Sequence, residues 1–225
     1  MTEVRYRRGE CEEALQMADD FLVTVEAGSP HYTAYQVYAI RAEIRLARGD
    51  QPGAISDAEN ALALGREIAD PQALFYALPA CAHVFSLSSG SDRAVPLARE
   101  LLAALGRGEN MQFAVITLPA FASTAFRLDL VQELVDALAD RRASPWMEVV
   151  KAYARRDLVT AAEIIQQIGS RPDEAEARLR ASEQLVAEGR RPEADEQLRR
   201  ALELYQAMGA THYVRECEAL LAASA

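Results

Sequence analysis

Along most of the chain, apolar and small residues recur at intervals of three or four, and short polar turns interrupt them at regular distances. That period is the signature of helices with one buried face. The turns are marked by proline and glycine. Ser29-Pro30, Asp70-Pro71 and Ser144-Pro145 each set an N-capping side chain before a proline at the first helical position, where the missing N–H costs nothing. Pro52, Pro172 and Pro192 lie close to other helix starts, and Gly28, Gly49, Gly108, Gly169, Gly189 and Gly209 sit at helix ends or tight turns. The pattern predicts about twelve helices, at 10–27, 30–48, 51–68, 71–88, 92–106, 109–127, 129–141, 145–155, 157–168, 172–188, 191–208 and 211–223. Pro79 and Pro119 fall inside two of them. An interior proline removes a ladder hydrogen bond and kinks the axis, so both helices are expected to bend, setting the curvature of the array or shaping a groove.

The helices repeat. "RRGECEEALQMADDFL" (7–22) realigns on "ARGDQPGAISDAENAL" (47–62), on "SSGSDRAVPLARELL" (88–102) and on "AEGRRPEADEQLRRAL" (187–202). A small residue marks each unit: Ala14, Ala54, Ala94, Ala161 and Ala194, with Glu133 a poor match in the gap. Units of this length hold two antiparallel helices and their turns, and a short side chain at a fixed point lets two helix axes approach. The expected fold is an all-α, right-handed solenoid of helix pairs forming one domain over 1–225, with units near 1–28, 29–69, 70–107, 108–142, 143–169 and 170–209 and a cap at 210–225.

Composition supports helices, because the apolar half of the chain is supplied mainly by Ala and Leu. The formal net charge of -10 disfavours a direct nucleic-acid ligand, which calls for a basic surplus. The basic pairs Arg141-Arg142, Arg155-Arg156 and Arg190-Arg191 are read as complements to helix ends. Cys11, Cys81 and Cys217 are widely separated and form no C-x-x-C pair, which argues against zinc and disulfides and fits a cytoplasmic protein. No apolar run is long enough to cross a bilayer.

The paired helices, the recurrent alanine and the turn before the second helix resemble tetratricopeptide repeats, with Ala42 in "YAIRAEIRLARGD" (38–50) where that motif prefers glycine. Residues 41–72 and 198–225 look like the C-terminal helical-repeat region of large bacterial signalling regulators that join a cyclase or LuxR-type module to a signalling ATPase. That resemblance implies a non-catalytic module that binds a protein, a peptide or another domain of the same regulator. The chain has no G-x-x-x-x-G-K-[ST] phosphate loop.

Local constellations add no catalytic residue, metal site or cofactor. His31, His83 and His212 are far apart, the serines at 86, 88, 89 and 91 near His83 lack a nucleophile elbow, and Glu12-Glu13, Asp19-Asp20 and Asp173-Glu174 suit helix starts or polar faces. The first helix of each pair should line a concave wall. Projection of the repeat places Gln36, Glu43, Tyr76, His83, Phe126, Trp146, Tyr153, Leu179 and Glu183 on that candidate partner-binding stripe. A deep pocket lined by Tyr76, His83 and Trp146 would favour a small-molecule effector, and an open polar-rimmed trough would favour a protein partner. Thr211 should begin a final cap with Tyr213, Leu220 and Leu221 turned inward. Residues 2–8 can supply only a stub, so the helix at 10–27 is expected to lack cover, leaving an end available for a homodimer.

Overall fold

A computed structural model describes residues 1–68, 70–88, 90–108 and 115–222. They form thirteen α-helices: α1 (Thr2–Arg7), α2 (Cys11–Glu26), α3 (Ala34–Arg48), α4 (Gln51–Glu67), α5 (Pro71–Ser88), α6 (Ser91–Gly106), α7 (Leu118–Arg127), α8 (Val131–Ala137), α9 (Pro145–Ala154), α10 (Leu158–Ile168), α11 (Arg171–Ala187), α12 (Arg191–Ala207) and α13 (Thr211–Ala222). There is no strand among the described residues, and none of these helices is long and apolar enough to cross a membrane.

Capping explains several boundaries. Asp50, Ser144 and Asp157 accept from the backbone N–H groups of Gly53, Met147 and Thr160 at 3.0, 3.4 and 3.1 Å, holding the first turns of α4, α9 and α10. Asp70 does the same for α5 through Gln72 at 2.9 Å. Ser29-Pro30 does not start a helix: α3 begins four residues after Pro30, and Ala34 N–H bonds the His31 carbonyl across a turn. Pro119 lies in the first turn of α7, where it removes no ladder bond, so the expected interior break is absent there. Pro79 does lie inside α5, and so does Pro96 inside α6. The expected helix start at 109 lies outside the described residues. The helix expected at 129–141 is only Val131–Ala137, which leaves Arg141-Arg142 beyond its end. Arg190-Arg191 opens α12 rather than closing α11; a cation is disfavoured by the dipole there, and Glu188, Glu193 and Asp195 pair with the two arginines instead.

Every even-numbered helix from α2 to α12 buries its fourth residue. Ala14, Ala54, Ala94, Ala161 and Ala194 are fully buried, and Leu134 occupies the same place in the short α8. Glu133, the residue matched in the sequence alignment, is exposed: the true register lies one position on. Close approach also explains Gly65, where a Cβ would lie 3.1 Å from Ala77 Cβ between α4 and α5.

Apart from α6 and α7, helices adjacent in the chain pack on one another, and α3, α5, α7 and α9 also pack in succession. The two chain ends then meet: α1 touches α11, and α13 touches α3. Tyr6, Cys11 and Ala14 share a hydrophobic cluster with Leu179, Leu198, Tyr205, Met208 and Tyr213. At Gly9, with φ of +78°, a Cβ would meet Arg171 and Met208 at 3.0 and 3.1 Å. The expectation of an uncovered first repeat is therefore corrected. Residues 2–7 fold into α1, and the last three helices cover what it leaves. Tyr213 is buried, and Leu220 and Leu221 pack partly against the same cluster.

Candidate functional site

The odd helices direct polar side chains inward, and α1 supplies the key to their arrangement. Arg7 donates to Asp173 at 2.6 Å and to Glu3 at 2.6 Å; Glu3 also accepts from the Tyr76 hydroxyl and, at 3.4 Å, from Gln36. Tyr6 donates its hydroxyl proton to Glu43. Farther along, His83 stands 3.1 Å from Thr124 Oγ1 and 3.5 Å from Glu176, which accepts from Ser123 at 2.9 Å. The seam thus joins α1, α3, α5, α7 and α11. Burial pushes the carboxyls of Glu43 and Asp173 above the usual carboxylate range, against the pull of His83 and Arg7. Burial acts on Glu176 too, but His83, Arg180, Arg127 and the Ser123 hydroxyl outweigh it and hold that group below its ordinary value.

These contacts place the nine stripe residues. Gln36, Glu43, Tyr76 and His83 belong to the seam and already have internal partners. Tyr153 and Leu179 are core residues, at 1% and 0% exposure, so neither presents an open surface. Tyr153 touches Phe126 with ring centroids 5.9 Å apart, and Arg156 covers that Phe126 ring. Trp146 is half-buried against the main core, and Glu183 binds Arg180 at 2.9 Å. Projection found the inward-facing helices because it followed the repeat. Whether they line a trough or a pocket depends on the two ends converging, which no local pattern carries.

Two buried arginines escaped the sequence reading altogether. Arg41, eighth in α3, clamps Asp57, seventh in α4, through Nε and Nη2 at 2.8 Å each, and also reaches Asp19 in α2 at 2.9 Å. Arg178, eighth in α11, likewise reaches Gln197, seventh in α12, at 2.8 Å, along with Glu174 at 2.8 Å and Gln166 of α10 at 3.4 Å. Their shared register was a usable signal: an arginine on the apolar face with a polar residue at the matching point of the next helix.

Two spaces adjoin the seam. A small cavity of about 40 Å³, bordered by Tyr6, Glu43, His83, Asp173, Glu176 and Tyr205, has room for a few waters. A more open cleft of about 530 Å³ lies where α3, α5, α7, α11 and α13 converge, with Arg127, Arg180, His212, Arg215 and Glu216 on its walls and Leu46 and Leu87 at its base. Neither space is lined by Tyr76 or Trp146. The three cysteines are free and buried, and burial pushes the Cys11 thiol to about 11 and those of Cys81 and Cys217 to about 12. Among the described residues no group of three His, Cys, Asp or Glu could hold a metal ion. Ser86 and Ser88 bond back to carbonyls of their own helix; Ser89 and the Ser91 side chain lie outside the description. No protein-family profile, curated protein or solved structure matches the chain.

Proposed function

We propose that this chain is a non-catalytic regulatory module, a right-handed array of tetratricopeptide-like helix pairs that works by holding a ligand, in the manner expected of the repeat region of a bacterial signalling regulator. The effector-sensing reading has the better geometric support. Its main observation is that the stripe expected to receive a peptide is engaged by α1 and α11, while a cleft of small-ligand size opens beside it. A ligand there would touch α3, α7, α11 and α13 together and so shift the balance between the closed arrangement and a looser one. The test is thermal unfolding in the presence of fractionated bacterial metabolites below about 1 kDa. A raised midpoint, with slowed hydrogen exchange in α11 and α13, is expected; a midpoint that no fraction moves would overturn the effector reading.

A protein partner is the second reading, and α1 itself favours it. A short helical segment carrying Glu3, Tyr6 and Arg7 is accommodated against the stripe. A partner helix with the same acidic, aromatic and basic spacing would compete for that seat. Excess synthetic peptide spanning residues 1–9 should then loosen α1, seen as faster exchange of its amides, whereas an unrelated peptide should not.

A further inference from the structure

Arg180 and Arg48 each keep a buried Nε without an acceptor, and Arg180, at 10% side-chain exposure against 28%, is the more buried of the two. Its side chain is nine-tenths buried, and every bond it makes comes from Nη1: two to Glu183 at 2.9 and 3.0 Å and one to Glu216 at 3.4 Å. Nε is buried without an acceptor, and Nη2 donates to no described residue. The Nε–Nη2 edge is the one through which Arg41 holds the Asp57 carboxylate with two 2.8 Å bonds. Such an edge matches the spacing of two oxygens on a carboxylate or phosphate. A buried guanidinium donor left unmet is costly, so an acceptor that reaches this edge would be held strongly.

The surroundings suit an anion. Arg127 and Arg215 are exposed on the same cleft, and His212 and Tyr213 belong to the first turn of α13, whose N-terminus carries partial positive charge. Opposing them are Glu216 on the wall, Glu183 beside Arg180, and Glu176, whose charge also acts on Arg180 and Arg127. The Arg180–Glu216 contact, at 3.4 Å, is the weakest of the three made by Nη1.

We propose that the cleft binds the carboxylate or phosphate group of a small effector, with Arg180 as the buried anchor, Arg127 and Arg215 gripping from the rim, and Glu216 as the neighbouring negative charge that opposes it. This rests on the effector reading above and names the ligand's chemistry.

The full chain should be titrated with inorganic phosphate and with citrate, each at ionic strength matched by sodium chloride, with binding followed by calorimetry and by the thermal midpoint. Binding in the low-millimolar range is expected for at least one of the two, and which one binds separates phosphoryl from carboxylate ligands. The double variant Arg127→Ala/Arg215→Ala alters only exposed side chains and should weaken binding at least five-fold while its helical circular dichroism is unchanged. Glu216→Gln, which removes the competing carboxylate, should tighten it several-fold. A shift equal to that given by chloride, or one preserved in the double variant, overturns the anion proposal. If metabolite fractions still raise the midpoint in that case, the effector reading stands with a ligand of different charge; if they do not, both fall.

Discussion

The outer helices and the inner seam hold the molecule together by opposite means. From α2 to α12 the even helices bury alanine at a fixed register, with one leucine, and apart from Asp57, which Arg41 clamps, they carry their charges toward the outside in pairs such as Arg200–Glu196, both partners exposed. The odd helices set Glu3, Arg7, Glu43, Asp173 and Glu176 along one inner seam, where Arg7 pairs with Glu3 and Asp173, Glu43 accepts from Tyr6 and Glu176 faces His83. The outer packing is dry and repeated, so each contact resembles the next. Each seam contact is unique, and removing one partner strands another in a medium that solvates charge poorly. Fold and register reside mainly in the first region, while the second fixes which helices meet at the centre.

The sharpest way to break that contrast is at Arg7. Arg7→Ala leaves Asp173 and Glu3 buried without their cation, and should lower stability by about 3–5 kcal/mol in urea unfolding. In the outer region, Ala54→Leu adds volume where α4 has no space and should cost about 1–3 kcal/mol by the same assay. A smaller effect tests the charge state of the seam. Because the folded state raises the Glu43 carboxyl, it holds that proton more tightly than the unfolded chain. Its contribution is therefore fully present below the unfolded carboxylate range and is lost as pH rises through the folded value. Glu176, held low, contributes in the opposite sense, and its share is lost as pH falls through its own folded value. Glu43→Gln keeps an acceptor for Tyr6, so unfolding at pH 8 should show a gain in stability over the parent chain, and at pH 4 almost none. Least affected should be Arg200→Ala, within about 0.5 kcal/mol, since its partner is as exposed as itself.

The sequence reading succeeded where the physics is local and periodic. Proline starts at 71 and 145, glycine ends at 49 and 169, and the buried alanines all follow from backbone and packing constraints that act within one or two turns. It slipped by one residue at Leu134 because a leucine there breaks the pattern of small residues, although spacing of forty from Ala94 kept the register. The repeat puts Glu43, Tyr76 and His83 on one stripe but not inside the molecule, where Tyr76 and His83 are buried. Their partners were not legible. Nothing local in residues 2–8 points to Asp173, 166 positions from Arg7. The cleft arginines were invisible for the same reason, being drawn from helices that only the closed arrangement brings together.

The shared cluster of chain ends also has a consequence in time. A repeat array with contacts only between neighbours can fold progressively as it leaves the ribosome. Here Tyr6, Cys11 and Ala14 await Leu198, Tyr205 and Tyr213, and Arg7 awaits Asp173. At about 5–20 residues per second, the N-terminal helices wait roughly 10–40 s before their cover has been synthesised. During that interval the apolar face of α1 and α2 waits for its cover, and a ribosome that stalls before α11 leaves that face open to chaperones and proteases.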